Sequence, residues 1–294
     1  MSPVQGGPIM SFSLRALISL AVLLGNGFGQ EQKTVFEETY RVRDRLEFIL
    51  RSDGGDVQIF RNDRNECSVQ IVYKEETCRP IVAYNERDRT LSIDVDHKNW
   101  SMLKSGDLKQ SDYALIKIGL PHKPDLDLDV VVKAGKAALQ LGDLHVRSLR
   151  MKSWAGETRL DFDRENRTEL TTFDVNCKVG RVSLLHLGNA RFQEADLTGS
   201  VGEMTVDFTG KKIKRAMARL DCKLGSTLVV VPEEVAVKIK VDKFLFLSGV
   251  DYPSWFEQRG NYYYSKNYDD TDESLYLIAS TGIGEFKVRV ASSD

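Results

Sequence analysis

Apolar and polar residues alternate along most of this chain. The clearest runs are GDVQIF (55–60), CSVQIVY (67–73), RTLSIDVD (89–96), ALIKIGLP (114–121) and DLDLDVVV (125–132). Period-two runs rich in Val, Ile and Leu, bounded by Gly, Asn, Asp and Pro, predict β-strands with one buried face. No stretch beyond the N-terminus carries strong helical periodicity. One polar segment, HKNWSMLKSGDLKQSD (97–112), interrupts the strands and predicts a surface excursion.

From about residue 126 the alternation itself repeats. A small residue, a variable one, an aliphatic, Gly, a polar residue and then alternating apolar positions recur as SWAGETRLDF (153–162), CKVGRVSLLHL (177–187), GSVGEMTVDF (199–208), CKLGSTLVVV (222–231) and TGIGEFKVRV (281–290). Gly156, Gly180, Gly202 and Gly225 follow one another at steps of 24, 22 and 23 residues. Gly135 is a weaker member 21 residues earlier, and Gly284 closes the series after a longer insertion. A fixed period of this size marks a stack in which each unit buries its apolar face against its neighbours. The leucine-rich-repeat frame is missing. With two strand-like runs per period, each unit is a β-coil or a hairpin, with Gly at its turn. The expected fold is all-β: a single-domain, solenoid-like stack of 21–24-residue repeats.

That stack makes a prediction about cysteines. Cys177, Gly199 and Cys222 share one column, three residues before the turn glycine. Two steps of ~4.8 Å separate the two thiols by ~9.5 Å, beyond the ~7 Å Cα limit for a disulfide. They are expected to be unpaired small core residues. Cys67 and Cys78 flank a turn near Lys74-Glu75-Glu76, and whether they pair stays open.

Composition adds limits. The 294 residues are 41% hydrophobic and 29% charged, with 41 Lys plus Arg against 43 Asp plus Glu. This balance gives no basic footprint for nucleic acid and no strong overall pull towards anionic lipid. At the N-terminus, Arg15 precedes an apolar run from Ala16 to Leu24, then Gly27-Phe28-Gly29. That pattern predicts a cleaved secretory signal over 1–29, with Met1 or Met10 as the start, Gln30 as the mature N-terminus and an uncleaved anchor as the alternative. The run is shorter than the ~20 residues of a membrane span. Beyond the signal we expect a strand region over 30–125 and the Gly-anchored repeats over 126–294, with no further membrane span.

Candidate chemistry is sparse. Asp125, Asp127 and Asp129 alternate, but a calcium loop would need Gly where Val130 stands and Glu where Lys136 stands. On a strand, Leu126, Leu128 and Val130 turn inward and the carboxylates face water. His97, His122, His145 and His186 are scattered, with His145 and His186 the one pair that could share a face. There is no C-x-x-C, H-E-x-x-H, G-x-S-x-G or P-loop frame, so no metal, cofactor or catalytic residue is expected. Outward acids such as Glu157, Asp161, Asp163, Glu203 and Asp207 could form ladders, and a glycosidase needs two carboxylates ~5–10 Å apart in a cleft. Two Asn-x-Ser/Thr sites start at Asn99 and Asn166. The most unusual composition is DYPSWFEQRGNYYYSKNY (251–268). Its Tyr252, Trp255, Phe256, Tyr262, Tyr263 and Tyr264 read first as a cap on the open end of the stack, and second as rings that contact a sugar or protein partner.

These residues carry a resemblance. SDGGDVQIF, IKIGLPHKPDLDLDV and the Gly-anchored series look like the bacterial putative-adhesin β-strand-repeat proteins. The tail from VVVPEEVAVKIKVDKF to GIGEFKVRV is similar to the toast-rack family, which is related to the extracytoplasmic part of Lia-type cell-envelope stress regulators. The resemblance spans roughly residues 45–290 and implies an all-β stack with no catalytic residue to carry over. The expected function is an exported, non-enzymatic binding or scaffolding module of the cell envelope or surface, whose partner is a protein or polysaccharide. The alternative is a polysaccharide lyase or glycosidase on a β-solenoid.

Overall fold

The computed structural model describes residues 33–98, 113–211, 213–243, 248–269, 271 and 273–291. The signal-like segment, the Asn99 site and most of the 97–112 excursion lie outside the described residues. Among the described residues, seventeen strands form one continuous hydrogen-bonded sheet, and a short 3-10 turn at Leu187–Asn189 is the helical element. They are β1 (Thr34–Arg41), β2 (Arg45–Ser52), β3 (Gly55–Asn62), β4 (Glu66–Tyr73), β5 (Cys78–Asn85), β6 (Thr90–His97), β7 (Ala114–Pro121), β8 (Asp125–Gln140) and β9 (His145–Asp161). There follow β10 (Thr172–Leu185), β11 (Glu194–Asp207), β12 (Arg215–Pro232), β13 (Ala236–Lys243), β14 (Ser248–Asp251), β15 (Phe256–Arg259), β16 (Tyr262–Ser265) and β17 (Ser274–Ala291).

The repeat unit is a coil rather than a hairpin. Each of β8 to β12, and β17, is one long strand bent at the column glycine, and successive units pair in parallel. Gly135 pairs with Gly156, Gly156 with Gly180, Gly180 with Gly202, Gly202 with Gly225 and Gly225 with Gly284. Glycine is required at the bend for two reasons. At Gly180 φ is +130°, a conformation open in practice to glycine alone. A Cβ there would also stand 1.9 Å from the carbonyl oxygen of Gly156 in the unit below.

Alternation on both sides of the bend builds the core. Val130, Met151, Val175, Leu197, Leu220 and Ala279 form one buried column before the bend. Ala137, Thr158, Val182, Met204, Thr227 and Phe286 form another beyond it. At the return of the coil Phe162, Phe173, Phe192 and Phe208 stack with ring centroids 6.2, 5.6 and 6.3 Å apart. Asn166 belongs to this turn too. Its buried Nδ2 donates to the carbonyls of Val146, Thr168 and Ala190, while its Oδ1 accepts from the Val146 amide. Asn166 is a structural bridge across units, and its amide is closed to glycosylation in the folded state.

The stack does not follow chain order at either end. The strand region before residue 125 contributes two more units, each split into two strands. β2 and β3 pair in parallel with the two halves of β8, bringing Gly55 opposite Gly135, and β6 and β7 pair in turn with β2 and β3. At the other end β17 inserts between β12 and the β13/β14 pair. The aromatic insertion therefore does not separate two stacked units: Gly284 sits directly on Gly225 and the insertion lies beyond. Antiparallel strands close both ends, with β5 on β6, β4 and β1 beside β7, and β16 then β15 beside β13. The turn near Lys74 is no hairpin, because β4 pairs with β1 and β7 whereas β5 pairs with β6.

The cysteine column follows the expected register, with Cys177 opposite Gly199; Cys67, Cys177 and Cys222 are buried free thiols, and Cys78 is buried with its Sγ accepting from the Thr77 hydroxyl. Gly180→Ala should destabilise the fold by roughly 1–3 kcal/mol from backbone strain alone, with more from the clash on Gly156. Gly199→Ala is the control, since its methyl would meet only the flexible Met204 side chain. Thermal melts showing equal losses for the two would contradict this view of the bend.

Candidate functional site

The aromatic insertion divides by strand alternation. On β16, Tyr263 and Ser265 turn inward, and Tyr263 packs with the buried Phe256 of β15 in the core. Tyr252 and Trp255 are partly buried against the same core, with the Tyr252 and Tyr263 ring centroids 4.7 Å apart in an edge contact. Tyr262 and Tyr264 point the other way. They share the outer face with Tyr268, at centroid spacings of 6.1 Å (262–264) and 5.0 Å (264–268).

A cation sits among these outer rings. The antiparallel register places Lys238 of β13 opposite Tyr264, and the parallel register of β17 places Tyr276 on its other side. The Lys238 ammonium stands 4.6 Å from the Tyr262 ring, 5.5 Å from Tyr264 and 5.3 Å from Tyr276, and Arg259 lies 5.3 Å from Tyr264. Of the six aromatic residues singled out in the sequence, four therefore build the end of the stack and two, Tyr262 and Tyr264, form a half-buried platform on its outer face. Lys238, Arg259 and Tyr276 were missed. Alternation in VAVKIKV already turns Lys238 outward, but which rings it meets depends on pairing between distant segments.

The candidate catalytic groups do not converge. Leu126, Leu128 and Val130 are buried, and Asp125, Asp127 and Asp129 face outward onto Arg147, Arg45 and Arg51. The acid ladder is interrupted, because Arg181 lies in register between Glu157 and Glu203 and its Nε donates to Glu203 at 3.0 Å. His186 Nδ1 is 2.8 Å from Asp161 and His145 Nδ1 is 4.0 Å from Asp125, so the two histidines serve different carboxylates. Burial pushes the Cys67 thiol up to about 12 and the Cys177 thiol up to about 11, which leaves little thiolate for nucleophilic chemistry at neutral pH. No group of three or more metal-ligating side chains occurs among the described residues. A shallow depression of roughly 520 Å³ at the N-terminal end is lined by Arg41, Val42, Arg43, Arg64, Asn65 and Glu66 and holds a single carboxylate.

The strongest charge cluster is structural. Asp143, in the β8–β9 turn with φ +60°, binds Arg61 of β3 and Arg167 of the following turn. Burial pushes its carboxyl up, and the two guanidinium groups outweigh that effect and hold it below the ordinary carboxylate value.

Gly-bent parallel coils with closed, partly aromatic ends define an all-β stacked-repeat protein. The family model described as the N-terminal domain of toast_rack matches residues 26–184, more than half of the chain. The chain belongs to the toast-rack family. It is also similar to several solved structures. One is a putative cell adhesion protein from Clostridium sporogenes, 16% identical, with 87% of this chain and 100% of that one covered and a TM-score of 0.46. Another is a putative adhesin from Bacteroides fragilis, 12% identical, with coverage of 87% and 97% and a TM-score of 0.38. A third is a putative adhesin from Parabacteroides merdae, 10% identical, with coverage of 88% and 91% and a TM-score of 0.30. No curated protein matches the chain. Among the described residues no helix is long and apolar enough to cross a membrane.

Two outcomes follow from this geometry. Tyr263→Ala should cost on the order of 3 kcal/mol as a cavity in the closing core, whereas Tyr264→Ala, which loses surface ring and cation–π contacts alone, should lower the melting temperature by far less. Asp143→Asn should lower the melting temperature at neutral pH, since Asn tolerates the left-handed turn but loses the charge. Because the folded carboxyl value is depressed, its stabilisation is complete above the unfolded value of ~3.9. The difference from wild type should shrink as pH falls through the folded value, as pH-dependent melts would show.

Proposed function

We propose that this protein is an exported, non-enzymatic binding or scaffolding module that holds a large partner of the cell envelope, a protein or a polysaccharide. The observation that carries this is the tyrosine platform around Lys238. Half-buried rings on a rigid, hydrogen-bonded strand face suit stacking against a sugar or an extended protein surface, at little cost in side-chain ordering. Lys238 and Arg259 add donors for hydroxyl or carboxylate groups at its centre and edge. The ion-paired outer columns supply no second carboxylate poised for general acid–base work, which favours holding over turnover. The family membership agrees with an extracytoplasmic place.

The test is a glycan-array and envelope pull-down screen with the mature protein and a Tyr262→Ala/Tyr264→Ala variant. Capture by wild type and a loss of tenfold or more in the variant, at a melting temperature lowered far less than by Tyr263→Ala, is the expected result, by comparison with contact residues whose removal costs more than ~1 kcal/mol. Turnover of a polysaccharide by the purified protein would overturn it.

A further inference from the structure

The residue just before each column glycine lies on the outer corner of the bend. In four successive units it is Val179, Val201, Leu224 and Ile283, exposed to 51, 39, 46 and 50%. Trp154, exposed to 42%, stands beside this line one unit earlier. Together they are five of the seven exposed large hydrophobic residues among those described, the others being Phe60 and Ile81. Scattered surface aliphatics need no explanation, but a hydrogen-bonded row of them does. Three steps of ~4.8 Å make a continuous aliphatic ridge ~14 Å long.

Its near flank is basic. Lys178 and Lys223 are exposed and immediately precede Val179 and Leu224, whereas the column on the far side of the glycines mixes signs, with Lys136 and Arg181 among Glu157, Glu203 and Glu285. The ammonium groups of Lys178 and Lys133 lie 4.7 and 5.4 Å from the Trp154 ring. The acids on that far side are engaged. Glu203 accepts from Arg181 and Glu285 from Lys287, and Glu157 stands in register with Arg181. The even charge of the whole chain conceals this arrangement, which exists only once the coils are stacked.

We propose that this ridge docks on an anionic lipid bilayer surface. An outward corner offers no pocket for the side chains of a protein partner. A line of aliphatics with lysines alongside instead matches the headgroup boundary: the aliphatics enter the acyl edge, lysine stems lie along them and the ammonium groups reach phosphate. A tryptophan beside ammonium groups suits the same depth. The ridge is distinct from the tyrosine platform, so the module has one surface for its partner and another for the membrane it lies on.

The test is co-sedimentation of the full chain with vesicles of phosphatidylcholine alone and of phosphatidylcholine mixed with phosphatidylglycerol, at low and high salt. Preferential, salt-sensitive binding to the mixed vesicles is expected. Lys223→Glu should weaken it about fivefold or more, and Leu224→Asp about tenfold, both at unchanged melting temperature. The apolar run Ala16–Leu24 is common to wild type and variants, so their difference reports the ridge. The Tyr262→Ala/Tyr264→Ala variant should bind vesicles like wild type, which keeps a failure here separate from a failure of the platform. Binding that ignores lipid charge or is unchanged by Leu224→Asp would overturn the proposal. So would sedimentation equilibrium showing a dimer that Leu224→Asp dissolves, because the ridge would then meet a second copy of this chain.

Discussion

The structure depends on a contact between glycine backbones. At each bend from Gly135 to Gly284 the next unit lies so close that a Cβ would fall 1.7–2.1 Å from a carbonyl oxygen of the unit beneath. Nothing but glycine admits that approach with φ between +114° and +145°. The contact does more than save space. It pins the register of every neighbouring pair at one point, and in a sheet a slip of one residue would exchange the buried and exposed faces. With the glycines aligned, all other positions fall into columns, and the core is what those columns contain.

This explains which parts could be read from the sequence. Gly156, Gly180, Gly202 and Gly225 recur at short, nearly equal intervals, so the stack they form is a local signal. Gly55 belongs to the same line but stands 80 residues before Gly135, its partner, and no period connects them. The place of β17 is hidden for the same reason: β13 to β16 intervene in the chain but not in space. Strands β1 and β5 carry no clear alternation in the sequence. β1 and β5 pair on one side only, at the closing edges, and their exposure pattern is correspondingly weak. For the tyrosine platform, composition located the segment, and only the antiparallel register of β13 with β16 separated outward Tyr262 and Tyr264 from inward Tyr263.

The ends face an old difficulty of open stacks. A parallel coil exposes a full row of unpaired amides and carbonyls at each terminus, a template for unwanted pairing. Here the closing strands run antiparallel to the stack, β4 and β5 at one end and β16 at the other, so the repeating register does not continue. At the C-terminal end closure also needs apolar mass, because a single added hairpin has little core of its own. Phe256 and Tyr263 supply it, with Tyr252 and Trp255 at the margin. The insertion's aromatic density is thus mainly a consequence of closing the stack, and the outward rings are the surplus available for contact.

Stacking also magnifies whatever chemistry a surface column holds. Like charges ~4.8 Å apart would repel along the whole column, so outward columns here mix signs and neutralise themselves, as Glu157, Arg181 and Glu203 do. That constraint works against catalysis, which needs like groups held together with their pKa values pushed apart. An aliphatic column has no such internal remedy. Val179, Val201, Leu224 and Ile283 gain a little from touching one another, yet each remains about half exposed. Any one of them could be replaced by a polar residue without disturbing the glycine contact beneath it, as the polar flanking positions show. Their persistence through four units is therefore not a by-product of the fold's own packing, and its physical explanation lies in something outside the chain that covers the corner.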